Sequence, residues 1–267
     1  MRWRHAGVVL TMALLAQVAA AQTRELLVHA AGSLRAALTD AARAFEAAEP
    51  GVTVKLTFGA SGLLKERLVA GERSHVFASA NMEHPQALAE AGRAAPPQRF
   101  ARNRLCALAA PGVQVTTATV IDRLLDPAVR VGTSTPKADP AGDYTWAMFE
   151  RIEKAGRAGA FKILSDKALQ LTGGPNSPPP PADRSVYGAL VAANQADLFV
   201  TYCTNGVVAV REEPTLRLVD VPEQVNVSAS YGLTTLNGAA EEANRFVAFL
   251  LGDAGQSLLA THGFASR

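Results

Sequence analysis

Two serines in similar short turns are the residues of this sequence whose type and spacing could do chemistry together. Ser33 lies in Ala30–Leu34 and Ser61 lies in Phe58–Gly62. Each turn follows an apolar run and precedes leucines at helical spacing, which predicts a strand, a tight turn and a helix with the serine as its N-cap. Because the first N–H groups of a helix have no acceptor within it, such turns favour an anion. Two of them early in one chain predict a single anion site built from both.

The segments that must position these turns alternate between strand and helix patterns. Apolar runs at 26–30, 52–58 and 76–80 are each followed by a segment of helical spacing. This alternation is typical of an α/β fold in which helices cover a parallel sheet. After residue 104 the pattern resumes, with a third strand, turn and helix at 129–155 and a proline-rich surface loop through 172–181.

The first 21 residues have the pattern of a secretion signal. Arg2 and Arg4 precede an apolar run at 8–16 that is too short to span a bilayer, and the alanines at 19–21 offer a cleavage site. We therefore expect residues 1–21 to be a signal peptide, cleaved near Ala21. The mature protein is then secreted and soluble, and periplasmic where the cell has two membranes.

The charge of the remaining chain is balanced, and its length allows two lobes. Residues 1–21 contain two of the 26 basic residues and none of the 24 acidic ones, so the secreted chain carries equal numbers of both. This balance argues against a nucleic-acid binder and against a polybasic membrane anchor. A bound anion would have to be held by local dipoles.

The two cysteines, Cys106 and Cys203, each lie in a predicted strand. In an oxidising compartment they could form a disulfide, and a pair of buried free thiols is the alternative. Neither cysteine has a second Cys or a His at ligand spacing, so we expect no metal site.

The two serine turns belong to a series of motifs that resembles the periplasmic molybdate-binding proteins, which are the substrate-binding subunits of molybdate ABC importers. The motifs occur in the order of that family and extend over essentially the whole secreted chain. They are Ala30–Leu34, Phe58–Gly62, Val76–Ala80, Asn103–Leu105, Pro140–Gly142, Val200–Tyr202 and the ending Phe246–Phe264.

The resemblance implies the type II periplasmic-binding-protein fold. In this fold two α/β lobes, each a mostly parallel sheet flanked by helices, are joined by two crossover hinge strands and close on a ligand between them. The first lobe would consist of residues 22–103 and 232–267, and the second of residues 104–231. Leu105–Ala109 and the stretch near Tyr231–Leu236 would be the hinge crossings.

The resemblance also implies the ligand and its binding residues. A molybdate or tungstate oxyanion would be held through its oxygens by the hydroxyls of Ser33, Ser61 and Tyr202. Backbone N–H groups of Ala141 and Arg184 would complete the site, the latter placed by counting back from the tyrosine. The protein would need no cofactor, act as a monomer, bind no nucleic acid and deliver its ligand to an ABC transporter permease in the inner membrane.

Three alternatives remain open from the residues. The same scaffold could bind another oxyanion or a small organic acid, or it could be a periplasmic sensor domain. A serine hydrolase is the third, but Gly59–Leu63 lacks the second glycine of a nucleophile elbow and neither serine has a suggestive His. We therefore expect a binding protein and not an enzyme.

Overall fold

A computed structural model describes residues 24–181 and 184–267, so the predicted signal peptide at 1–21 lies outside the described residues. The strands are β1 (Arg24–Ala31), β2 (Val52–Gly59), β3 (Val76–Ser79), β4 (Gln98–Asn103), β5 (Leu105–Ala109), β6 (Val131–Ser134), β7 (Leu169–Thr172), β8 (Leu198–Tyr202), β9 (Arg217–Asp220) and β10 (Ala229–Thr235). The helices are α1 (Arg35–Ala48), α2 (Ser61–Val69), α3 (Glu83–Glu90), α4 (Val120–Leu125), α5 (Pro140–Lys154), α6 (Ala160–Lys167), α7 (Val186–Ala192), α8 (Cys203–Glu212), α9 (Glu241–Leu251) and α10 (Asp253–Thr261). A 3-10 turn at Gly32–Leu34 precedes α1.

The first sheet has the strand order β2-β1-β3-β10-β4. β1 runs parallel to β2 and β3, and β10 runs antiparallel to β3 and β4. Leu38 and Phe45, one face of α1, are buried in its core with the aromatic side chain of Phe246. In the parallel register Ala30 pairs with Phe58 and Ala31 with Gly59. The two serine turns therefore leave the sheet side by side.

The second sheet has the strand order β7-β6-β8-β5-β9. β6 is parallel to β7 and β8, whereas β5 is antiparallel to β8 and β9. The predicted two-lobed α/β fold is confirmed, with each sheet mixed because β10 and β5 oppose both of their neighbours. Among the described residues, no helix combines the length and the apolar character needed to cross a membrane.

The chain passes between the two sheets at places that differ from the expected ones. β5, at Leu105–Ala109, lies wholly in the second sheet, and β10 lies wholly in the first, so the expectation of crossover strands there is wrong. The crossings are at Arg104 and over residues 221–228. Asn226 joins them, because its side chain accepts from the Leu105 N–H at 3.0 Å and donates to the Leu105 carbonyl at 2.8 Å.

The two cysteines are joined to each other. A disulfide links Cys106 of β5 to Cys203, the first residue of α8. Of the two alternatives that the sequence left open, the structure has the disulfide. The bond fixes the start of α8 directly after Tyr202, the last residue of β8.

Candidate functional site

A cavity of about 540 Å³ lies between the lobes and receives side chains from both. Four of the five predicted binding residues line it: Ser33, Ser61, Tyr202 and Arg184. Ala141, the fifth, is fully buried and is not part of the lining. The structure thus brings together residues that are far apart in the sequence, as the resemblance implies.

Ser33 and Ser61 are positioned by the adjacent ends of β1 and β2. The prediction that they act as N-caps is wrong, because Ala31 and Ala60 occupy those positions and the serines lie in the first turns. The Ser61 Oγ accepts a hydrogen bond from the Ala80 N–H at 3.1 Å and is fully buried. Ser61 is therefore fixed by the backbone of the first lobe, whereas Ser33 is bonded to the side chain described next.

Ser33 is bonded to a tyrosine that is not among the predicted site residues. Its Oγ lies 2.9 Å from the hydroxyl of Tyr231, in β10. The Asn103 side-chain oxygen accepts from the Arg104 N–H at 2.9 Å, so its NH₂ group faces Tyr231, at 3.4 Å, and Thr204, at 2.8 Å. Because an amide NH₂ only donates, the Tyr231 proton is directed to Ser33. The Ser33 proton is then left for another acceptor.

Tyr202 ends β8 with its hydroxyl unpaired. The side chain is 1% exposed, and its hydroxyl has no hydrogen-bond partner among the described residues. The ring packs between Tyr144, at a centroid distance of 6.3 Å, and Tyr231, at 5.5 Å. Burial raises the pKa of Tyr202 well above its usual value, so the phenol keeps its proton. A buried hydroxyl without a partner is costly, and this one belongs to a residue that lines the cavity.

The N-terminus of α5 is closed by an acid. The Asp139 side chain caps the helix, with its Oδ1 accepting from the Ala141 N–H at 3.1 Å. The backbone donor that the resemblance assigns to the ligand is therefore already bonded within the protein. Asp139 itself lines the cavity, and burial raises its pKa to about 6. In the sequence, the Asp-Pro pair at 139–140 indicates the start of a helix, but it does not indicate that Asp139 lines the cavity.

Arg184 lies on the cavity wall, two residues before the first residue of α7. α7 starts at Val186, and its N-cap is Ser185, whose Oγ accepts from the Gly188 N–H at 3.3 Å. The Arg184 side chain is exposed. Counting back from Tyr202 thus reaches a residue that precedes the first helical turn.

The lobes touch beside the cavity. The Gly62 N–H, in the first turn of α2, donates to the Ala138 carbonyl of the second lobe at 2.9 Å. A Cβ atom at Gly62 would lie 2.6 Å from the Lys137 carbonyl oxygen and 2.7 Å from that of Ala138. A glycine is therefore required for this approach, and the lobes are closed on this side.

Comparison with known proteins shows a family match for the sequence of this chain. A family model described as bacterial extracellular solute-binding protein matches residues 26–265. The Pasteurella multocida protein PM1146 is 38% identical over 213 residues, which cover 79% of this chain and 86% of that protein. The molybdate-binding protein ModA of Mycobacterium tuberculosis is 30% identical over 245 residues, or 91% of this chain and 85% of that protein.

Solved structures of similar fold include proteins for different anions. The periplasmic molybdate-binding protein of Azotobacter vinelandii superposes with a TM-score of 0.69 at 18% identity and covers 91% of this chain and 99% of that one. The sulfate-binding protein SubI of Mycobacterium tuberculosis gives a TM-score of 0.77 at 17% identity, over 91% and 87% of the two chains. At these identities the likeness concerns the fold. By the match of its sequence over nearly its whole described length, the chain belongs to the bacterial extracellular solute-binding protein family.

Proposed function

We propose that this protein captures a tetrahedral oxyanion, molybdate or tungstate, in the cleft between its lobes and delivers it to an ABC importer. One observation carries this proposal: Ser33, Ser61 and Tyr202, three hydroxyl-bearing residues from separate elements and both lobes, line a single cavity. Within residues 24–181 and 184–267, the Tyr202 hydroxyl has no hydrogen-bond partner. A ligand rich in acceptor oxygens would supply one. The relatives named for molybdate add support for this choice of ion.

Neutral donors can hold such an ion. A hydrogen bond to a charged acceptor contributes about 1.5–3 kcal/mol, and a helix N-terminus about 0.3–2 kcal/mol. Several of these together can offset the large cost of removing water from a dianion. The proton arrangement at Ser33 favours this role, because Asn103 and Tyr231 leave the serine free to donate.

The serines are poorly arranged for catalysis. Ser61 accepts a backbone N–H and Ser33 is bonded to Tyr231. Among the described residues neither hydroxyl is hydrogen-bonded to a His, which a serine nucleophile would need as its base. A transport role, with secretion to the periplasm by the signal at residues 1–21 and docking on an inner-membrane permease, accounts better for the site.

Calorimetric titration of the chain from residue 22 onward tests the ion assignment. We expect molybdate and tungstate to bind and to raise the melting temperature by mass action, and sulfate and phosphate to bind more weakly. Tight sulfate or phosphate binding without a molybdate signal would contradict the assignment and leave the binding fold intact.

The size of the cavity favours a second candidate, a small organic anion. A water molecule needs roughly 10–15 Å³ of such space, so a cavity of about 540 Å³ exceeds what a single tetrahedral ion fills. The Arg35 guanidinium stacks on the Phe58 ring at 4.6 Å, and both line this cavity. A screen of carboxylates and phosphate esters decides between the candidates. An ester that binds more tightly than molybdate would favour the second.

A further inference from the structure

We propose that the cleft takes up its anion together with one proton, and that the carboxyl group of Asp139 holds this proton against the bound anion. The inference rests on the proposed function, because it concerns an oxyanion bound in this cavity. Asp139 would be a residue that determines which anions bind and at what pH. It is an acid on the wall of a site built for an anion.

The position of the carboxyl group is fixed by the backbone around it. Its Oδ1 accepts from the Ala141 N–H at 3.1 Å. On another side, a Cβ built on Gly173 would lie 2.4 Å from the Asp139 Oδ2, so only a glycine allows this loop to approach. Gly173 also has a φ of +77°, in the left-handed region that favours glycine. The carboxyl group is therefore confined at the cavity wall between the start of α5 and the loop at Gly173.

No cation among the described residues neutralises this carboxylate. The charged group that acts on it from its own helix is Asp143, another acid, which accepts from the Lys137 N–H at 2.7 Å. Ser134 of β6 offers a neutral hydroxyl. The arginines that line the same cavity are Arg35, Arg67 and Arg184. Phenols of three other elements lie close enough for the Asp139 charge to raise their pKa values. These are Tyr187 of α7, Tyr202 of β8 and Tyr231 of β10, on each of which the Asp139 charge acts.

An ionised Asp139 would repel the ligand that the hydroxyls attract. A protonated carboxyl group, in contrast, can donate its O–H to an oxygen of the anion. Burial has already moved the pKa of Asp139 to about 6, and a second negative charge nearby moves it further in the same direction. Near neutral pH, binding of a fully deprotonated oxyanion therefore brings a proton from solvent.

The test is calorimetric titration with molybdate between pH 7 and 9, in buffers that differ in their heat of ionisation. We expect the wild-type protein to take up close to one proton per ion and its affinity to fall about tenfold for each pH unit. Asp139→Asn keeps a side chain that caps a helix and should bind molybdate with little dependence on pH. Glu212→Gln is the matched control, because Glu212 is an exposed acid on the same cavity. Its proton uptake and the pH dependence of its affinity should match those of the wild type, whatever its affinity at a single pH.

Each outcome decides something different. Molybdate binding by the wild type without proton uptake and with constant affinity would overturn the inference and leave the proposed function standing. If Glu212→Gln lost as much of the pH dependence as Asp139→Asn, the effect would come from the overall negative charge around the cavity and not from Asp139. That result would also overturn the inference. Absence of binding by molybdate, sulfate and phosphate across the pH range would contradict the proposed function itself and, with it, the inference. Proton uptake is measured on the wild type, so the test does not depend on the folding of a variant.

Discussion

The two halves of the cleft hold their polar groups in different ways. In the first lobe, Ser33 and Ser61 leave adjacent parallel strands and are each bonded to a neutral partner of the same sheet region. In the second lobe, considering the part of the chain that the structure describes, the Tyr202 hydroxyl has no hydrogen-bond partner and no cation acts on Asp139. The first half thus has its hydroxyl oxygens positioned without a ligand, with the Ser33 proton left to donate, whereas the Tyr202 hydroxyl of the second half gains a partner only when a ligand binds. We infer that the first half fixes where an anion sits and that the second half selects which anion.

Removing the disulfide should have the largest effect, a loss of stability in the lobe that carries the second half of the cleft. Cys106 and Cys203 are 97 residues apart, and a crosslink over a loop of this size stabilises a protein by about 2–5 kcal/mol. We predict that Cys106→Ser with Cys203→Ser lowers the free energy of unfolding in urea by this amount. Reduction of the wild type should reproduce the loss. An unchanged unfolding midpoint would show that the bond does not stabilise the lobe.

Removing the Tyr202 hydroxyl should separate binding from stability. Tyr202→Phe deletes a donor to a charged acceptor, worth about 1.5–3 kcal/mol, so we predict an increase in the molybdate Kd of about 10–150-fold. Without ligand the variant should be at least as stable as the wild type, because the unpaired hydroxyl is gone.

The matched control for this variant is Tyr144→Phe. The Tyr144 hydroxyl accepts from the Ser230 N–H at 3.3 Å and does not line the cavity, so its removal should leave affinity nearly unchanged. Equal affinities for Tyr202→Phe and the wild type would refute the assignment of this tyrosine.

A methyl group at Gly62 should hinder closure of the lobes. It would meet the Lys137 carbonyl oxygen at 2.6 Å, and overpacking of this kind costs about 1–3 kcal/mol. We predict a smaller ligand-induced rise in melting temperature for Gly62→Ala. Gly32→Ala is the control from the neighbouring turn, where the nearest atom would be 4.0 Å away. Similar behaviour of the two variants would show that the contact between α2 and the second lobe is not needed for closure.

The Tyr231 hydroxyl should have the smallest effect, since it acts through Ser33. Tyr231→Phe removes a neutral hydrogen bond worth about 0.5–1.5 kcal/mol, so the molybdate Kd should rise about 2–10-fold. Combined with Ser33→Ala the loss should not increase further, because both changes remove the same donor. Strictly additive losses in this double-mutant cycle would mean that Tyr231 does not orient Ser33.

The first half of the site is the part that local sequence patterns could predict. The apolar runs before Ser33 and Ser61 fix two strands, and the small residues after them fix two turns. Parallel pairing then brings the turns together. By contrast, β4 was not predicted, since its sequence at Gln98–Asn103 is rich in arginine and its partner β10 lies more than a hundred residues away.

The second half depends on contacts that no local pattern encodes. Whether the Ala141 N–H is free depends on the rotamer of Asp139. In the structure the Asp139 carboxylate accepts a hydrogen bond from this N–H. The Ser33–Tyr231 bond spans 198 residues, and neither partner indicates the other. The disulfide was one of two alternatives, because the types of the two cysteines and their strand contexts do not reveal the distance between them.

A crystal structure of the secreted chain grown with tungstate tests the central claim most directly, because the anomalous signal of the metal locates the ion without interpretation of its oxygens. We predict one tungsten peak in the cavity, with its oxygens within hydrogen-bond distance of the hydroxyls of Ser33, Ser61 and Tyr202. A peak elsewhere on the protein, or an occupied cavity in which the Tyr202 hydroxyl still lacks a partner, would contradict it.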